Sequence, residues 1–340
     1  MRTARPFGRL ALGGAALLLG RALIRHHRKW ELRGRTILVT GGSRGLGFLV
    51  ARELLREGAQ VAICARDADT LSRAQRQLEG DGRPVVAIQC DVTVREHVER
   101  VVGRVTEELG TIDALINNAG TITVGPLDTM RLADFHDAMN TNFWGALHAI
   151  LAVLPAMRRR RAGRIVNIAS IGGKLAVPHL LPYSASKFAL VGLSEGLRVE
   201  LAPSGIQVTT ICPGLMRTGS PRHAFFKGRY RAEYAWFSIS DSLPLVSMDA
   251  PRAARQIVDA LRWGEAERVL GFPAKLGAIT HALFPAIIAD VLSLVNRALP
   301  TADPSAPPIP TEGEDSTSIV SPSLLTRLGD RAAERHNQLG

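Results

Sequence analysis

Tyr183 and Lys187 stand four residues apart, a spacing that on a helix puts both side chains on one face. A lysine ammonium near a phenol favours the phenolate and lowers its pKa, which makes the tyrosine a usable acid or base near neutrality. The pair opens a predicted helix after a proline-containing loop, and the strand before that loop ends at Ser170. A hydroxyl there can hydrogen-bond the same substrate oxygen that Tyr183 protonates. The chemistry these residues suggest is proton transfer at an oxygen carried on carbon.

A second group lies in the run Thr40-Gly41-Gly42-Ser43-Arg44-Gly45-Leu46-Gly47. Glycines after a strand let the backbone turn tightly and approach a pyrophosphate, which then sits on the N-terminus of the following helix. The next strand ends Cys64-Ala65-Arg66-Asp67. A site for NAD usually carries a carboxylate at this strand end for the adenosine ribose hydroxyls. Ala65 cannot serve, whereas Arg44 and Arg66 can both face a 2′-phosphate with charge-assisted hydrogen bonds. Asp67, one residue beyond, is a mild objection. NADP, as NADPH, is the expected cofactor. The same run also satisfies G-x-S-x-G through Gly41, Ser43 and Gly45, the pattern of a hydrolase elbow with Ser43 as nucleophile. None of the nine histidines sits in a recognisable context for that triad. A Walker loop is excluded, because Phe48 rather than lysine follows Gly47.

These residues need elements to position them, and the chain supplies a regular series. Short apolar runs at 36–39, 60–64, 85–90, 112–116, 164–169 and 206–211 read as strands, with helices predicted over 45–56, about 67–78 and 94–109. Continuous apolar strands alternating with helices mark a parallel sheet covered on both faces, an α/β fold of the doubly wound Rossmann type with three layers. Such a sheet binds its ligand beyond the carboxyl ends of the strands, where the chemistry-bearing residues fall.

In these motifs the sequence resembles the short-chain dehydrogenase/reductase superfamily, in its compact single-domain, NADP-preferring branch. The resemblance runs from about Gly34 to Gly271. Residues 40–47 look like the family's cofactor turn, involving Gly41, Ser43, Arg44, Gly45, Leu46 and Gly47. Asp91-Val92 matches the pair that contacts adenine, and Asn118-Ala119-Gly120, after Asn117, matches the turn bordering it. Asn142 falls on the asparagine that supports a proton-relay water, and Ser170, Tyr183 and Lys187 on the rest of the catalytic tetrad. Pro213-Gly214 and Thr218 match the segment that holds the nicotinamide. The resemblance implies reduction of a carbonyl, or the reverse, by hydride transfer. Lys187 binds the nicotinamide ribose and depresses the Tyr183 pKa, Tyr183 donates the proton, Ser170 polarises the oxygen, and Asn142 supports the resupply of protons. A catalytically silent NADP(H)-binding regulator and the Ser43 hydrolase are the rival readings.

The net charge of +11 is not a nucleic-acid signature, because residues 1–35 hold +8 of it; a phosphate-binding groove needs charge spread over the folded face. Arg158 to Arg161 read as a solvated loop. The apolar run 10–20 spans about 16 Å at helical rise, and about 22 Å if prolonged through Ile24, short of the roughly 30 Å hydrocarbon core. With Arg21, Arg25, Arg28 and Lys29 beside it, it fits an anchor at an anionic membrane surface better than a span. The expected layout is an N-terminal leader or anchor over 1–31, a catalytic domain over 32–272, an apolar helical segment over 273–300 and a Pro/Ser-rich, largely disordered tail over 301–340. Three cysteines, Cys64, Cys90 and Cys212, in no paired spacing argue against disulfides and against a metal site. The expected setting is the cytoplasmic side, membrane-associated through residues 1–29 or soluble, and the expected assembly a homo-oligomer.

Substrate identity rests on less. Phe225, Phe226, Tyr230, Tyr234, Trp236 and Phe237 crowd into 13 residues and suggest an apolar lid. Leu175, Ala176, Val177, Leu180 and Leu181 before Tyr183 also lack charge. A bulky apolar carbonyl compound is the expected substrate. The predicted amphipathic helix over 286–299 must cover its apolar face with core, a second subunit or a bilayer.

Overall fold

A computed structural model describes residues 29–80, 82–302, 309–318, 321, 323 and 326–339. Most of the leader, and with it the expected membrane anchor, lies outside the described residues.

Seven strands form one parallel sheet: β1 (Thr36–Thr40), β2 (Gln60–Ala65), β3 (Val85–Gln89), β4 (Ala114–Asn117), β5 (Gly163–Ile168), β6 (Ile206–Pro213) and β7 (Glu267–Leu270). Their spatial order is β7-β6-β5-β4-β1-β2-β3, every neighbouring pair parallel. The order reverses at β1, so the crevice between the β1 and β4 ends is the switch point where such sheets take ligands. β7 is a strand the apolar-run reading does not single out, since Glu267 and Arg268 open it.

Helices α1 (Gly45–Arg56), α2 (Ala68–Glu79), α3 (Arg95–Leu109), α4 (Leu132–Met139), α5 (Gly145–Arg160), α6 (Leu181–Leu201), α7 (Tyr230–Ser242) and α8 (Ala250–Trp263) follow the strands. On one face Leu49, Leu54 and Leu55 of α1 pack with Ile257 and Leu261 of α8 against Ile37, Val39 and Ile63. On the other, Val101 and Val105 of α3 and Ile150 and Val153 of α5 close over Leu38, Leu115 and Ile165. Burying each such side chain is worth about 1.5–3 kcal/mol, and together these faces make the three-layer Rossmann arrangement. The Arg158 to Arg160 run closes α5, where cations complement the helix dipole, and Arg160 pairs with Asp113 at 3.0 Å.

Beyond β7 the structure departs from expectation. Helices α9 (Phe272–Leu283) and α10 (Pro285–Ala298) form, but α10 buries no residue. Ile287, Val291, Leu294 and Val295 stay exposed, so core packing does not cover that face. Where 301–340 is described, it carries elements that its composition does not suggest. Thr311–Glu312 pairs antiparallel with Phe225–Phe226, and α11 (Arg327–Arg335) docks Ala332 and Ala333 in the interior. Two adjacent small residues let this polar helix come close, which hydrophobicity alone does not reveal. No helix among the described residues is long and apolar enough to cross a membrane.

Candidate active site

Every strand that matters delivers its site residues from its carboxyl end. After β1 comes the glycine turn, held from below by Thr40, whose Oγ1 accepts the N–H groups of Asn118 (3.0 Å) and Ala119 (3.1 Å). Asn118 Nδ2 returns hydrogen bonds to the Thr40 and Gly41 carbonyls at 3.2 and 2.9 Å. The β1 and β4 turns thus brace one another. Gly47 has no alternative, because a Cβ there would lie 2.2 Å from the Gly41 oxygen and 2.4 Å from Asn118 Nδ2. That close approach brings the first turn of α1 against the loop.

Arg44 is partly buried and Arg66 exposed. Burial lowers the Arg44 pKa, and the neighbouring Arg66 charge lowers it further. Two guanidinium groups that repel each other across a cavity rim are suited to a doubly charged anion. Asp67 Oδ1 accepts from the Thr70 N–H at 2.7 Å and caps α2. Asp91 accepts from the Thr93 N–H and hydroxyl at 2.9 and 2.8 Å, so one of its oxygens shapes the turn after β3.

The tetrad residues meet at the β4–β5 side. Ser170 follows β5 and accepts from the Gly172 N–H at 3.0 Å. Tyr183 and Lys187 lie in the first turns of α6, the Lys187 Nζ 5.7 Å from the Tyr183 ring centroid and donating to the Ile168 carbonyl at 2.9 Å. Asn142 sits in a π-helical turn, Asn140–Trp144, between α4 and α5, a local irregularity common at functional sites. Its Oδ1 accepts from the Thr121 N–H at 2.9 Å, and its Nδ2 donates to the Thr121 carbonyl and to Ser186 Oγ at 3.1 and 2.9 Å. Ser186 in turn donates to the Tyr183 carbonyl at 2.7 Å. Asn142 therefore reaches the Tyr183 helix through a serine that the sequence reading passed over.

One expectation is corrected. The expected lowering of the Tyr183 pKa is not seen: burial pushes the phenol up to about 12, against an opposing hydrogen bond with Ser170. Burial likewise lowers Lys187 to about 8. Burial away from water disfavours the charged form of each group. Tyr183 is thus held as a neutral phenol, the form that gives a proton.

A cavity of about 670 Å³ joins the two halves, within the size of small-molecule sites. Gly41, Ser43, Arg44, Gly45, Leu46, Arg66, Asp91, Val92, Asn118, Ala119 and Gly120 line it together with Ser170, Tyr183, Lys187, Pro213, Gly214 and Thr218. Gly47 and Asn142 stand behind the wall. Leu175, Val177, Leu180, Trp236, Phe237 and Val246 add an apolar surface interrupted by Asp241. The aromatic cluster divides: Trp236 and Phe237 of α7 face the cavity, whereas Phe226 and Tyr234 form a buried core behind them. Glu233, fully buried, holds His179 Nδ1 at 2.9 Å and accepts from Trp236 Nε1 at 2.6 Å, fixing the indole. Asp241 accepts from the Met216 N–H at 3.0 Å, and burial raises its pKa to about 7. Neither acid belongs to a motif, so only the fold reveals them. Cys64, Cys90 and Cys212 are buried and free. No cluster of metal-ligating side chains occurs among the described residues.

Residues 35–225 match the family model described as short chain dehydrogenase. The chain belongs to the short-chain dehydrogenase family. As a member of it, the protein is an oxidoreductase. It is 38% identical over 183 residues to a ketoacyl reductase of a Nostoc species, covering 54% of this chain and 64% of that one. It is 36% identical over 187 residues to the 3-ketodihydrosphingosine reductase of Mus musculus, covering 54% and 56%. The chain thus spans less than two thirds of both relatives. Among solved structures it resembles the actinorhodin polyketide ketoreductase with NADPH, at 32% identity and a TM-score of 0.63 over 69% of this chain and 95% of that one.

Proposed function

We propose that this short-chain dehydrogenase reduces a bulky apolar ketone or aldehyde to an alcohol with NADPH. The observation carrying the proposal is one cavity lined by the Arg44–Arg66 pair, a neutral, buried Tyr183 and an apolar surface. The braced glycine turn, the side-chain-free approach at Gly47 and the paired arginines fit the pyrophosphate and 2′-phosphate of NADPH, whose nicotinamide supplies hydride when bound. Leu46 would present the α1 N-terminus to the phosphates, Asp91 and Val92 would border the adenine, and Pro213, Gly214 and Thr218 the nicotinamide. Tyr183 would donate its proton to the substrate oxygen, and Ser170 Oγ would donate a second hydrogen bond to that oxygen. Lys187, a cation beside them, would stabilise the phenolate left after transfer. Asn142 would hold the Thr121 loop and the α6 backbone in register behind them. The relatives' names, ketoacyl reductase and 3-ketodihydrosphingosine reductase, support a ketone with an apolar chain as substrate class. The assembled tetrad speaks against a silent cofactor-binding protein and against a Ser43 hydrolase. Turnover across a panel of apolar and polar carbonyl compounds, with NADPH and with NADH, tests the reading. Preference for polar sugars would remove the substrate class, and no turnover of any carbonyl would remove the activity.

The lowered Lys187 pKa has a visible consequence. A lysine shifted down to about 8 loses its charge earlier than usual as pH rises, while Tyr183 stays protonated until about 12. Reduction measured as kcat/KM should therefore fall as pH climbs through about 8, following one ionisation. A rate that rises over that interval would contradict the proposed role of the Lys187 cation.

A further inference from the structure

The C-terminal segment ends on the glycine turn. Ala333 lies against Gly219, where a Cβ would come within 2.6 Å of the Ala333 Cα. The chain then turns at Asn337, in the left-handed region with φ 55°, and crosses the turn between β1 and α1. The Gly45 N–H donates to the His336 carbonyl at 2.8 Å. Asn337 Nδ2 donates to the Ser43 and Thr70 carbonyls at 2.7 and 3.1 Å. The Gln338 carbonyl meets His223 Nε2 at 2.9 Å, and Arg73 donates to the Leu339 carbonyl at 3.3 Å. Gly45 itself has φ +57°, and a Cβ there would lie 2.6 Å from Gln338 Nε2. This is a fitted interface: a polar segment satisfied by named backbone groups of the cofactor loop.

Gln338 is its unusual member. It is 5% exposed, lines the cavity beside Gly45 and Thr218, and donates through Nε2 to the Thr218 carbonyl at 3.3 Å. Its Oε1 is buried and accepts from no group of the chain. A buried amide oxygen without a donor is costly, so this one is built to receive a hydrogen from whatever enters the cavity. Phosphate oxygens have no hydrogen to give. Donors exist on the ribose hydroxyls and on the carboxamide, and Gln338 lies between Gly45 and Thr218, the latter a residue of the nicotinamide segment on the reading above.

We propose that the C-terminal segment forms a wall of the dinucleotide site and that Gln338 Oε1 accepts a hydrogen bond from the nicotinamide-ribose half of the cofactor. The proposal rests on the dinucleotide reading above and adds to it a residue from the far end of the chain. The test compares the full chain with Gln338→Met, which keeps the length of the side chain and removes its amide. Affinities are measured for NADPH and for 2′-phospho-ADP, which lacks both the nicotinamide and its ribose, with thermal unfolding to show that both proteins are folded. Loss of one neutral hydrogen bond corresponds to about 3- to 10-fold weaker NADPH binding, with 2′-phospho-ADP held as tightly as before. Equal weakening of both ligands, or of neither, overturns the assignment of Gln338. Failure of the wild-type protein to bind either ligand would instead overturn the dinucleotide reading itself. Should Gln338→Met prove unfolded, Gln338→Glu under the same comparison decides the matter. A carboxylate still accepts, so the expected result there is retained discrimination between the two ligands, and its loss counts against the proposal.

Discussion

Replacing Tyr183 by phenylalanine should abolish carbonyl reduction, with turnover falling at least about 100-fold, the lower end of what a positioned general acid contributes. The substitution removes one oxygen from a ring packed beside the core of Val124, Leu180, Phe226 and Phe237, so the cavity keeps its shape. NADPH affinity should stay within about twofold, since the Tyr183 ring lies near Lys187 and Gly172 rather than the arginines. Rapid-mixing or steady-state rates paired with a binding titration check both halves. Turnover near the wild-type level in this variant would remove Tyr183 from the mechanism. A collapse of NADPH binding would make its role one of cofactor support.

The second large effect is in cofactor choice. Arg44→Ala combined with Arg66→Ala should weaken NADPH by well over tenfold while leaving NADH nearly unchanged. Hydrogen bonds to charged groups are worth about 1.5–3 kcal/mol each when sheltered from solvent. Arg66 is exposed, so solvent screens its share, and the partly buried Arg44 should carry more of the loss. The sign of this preference follows from the strand end at Ala65: no carboxylate there grips the ribose hydroxyls, and Asp67 is committed to the Thr70 N–H. Dissociation constants for both cofactors with the single and double variants measure it. Equal losses for NADPH and NADH would show that neither arginine reads the 2′-phosphate.

Much of this was legible in the sequence because it is local. A glycine turn follows its strand directly, Tyr183 and Lys187 share one helix face, and Ser170 terminates β5. Strand ends converge on one edge of a parallel sheet, so motif order alone brought residues 41 to 218 to one cavity. What stayed hidden depends on contacts distant in sequence or on competition between forces. Asn337 meets Ser43 across 294 positions, and no periodicity in a tail rich in proline and serine announces such a contact. Ser186 is an ordinary helix residue until Asn142 is seen to donate to it. Glu233 belongs to no motif, and it is buried with His179 and Trp236 satisfying it. The pKa of Tyr183 was misjudged for a different reason: spacing reveals the neighbouring charge but not the depth of burial, and burial is the larger effect here. The exposed apolar face of α10 shows the reverse case, a pattern seen as amphipathic that nothing among the described residues covers.

The central claim is hydride transfer to a carbonyl carbon coupled to a proton from Tyr183. The most direct measurement incubates the wild-type protein with an apolar ketone and NADPH carrying deuterium at the transferable position, and examines the product by mass spectrometry. The account predicts an alcohol with deuterium on the former carbonyl carbon, formed in step with cofactor oxidation. Product without deuterium, or cofactor oxidation with no alcohol formed, would contradict it.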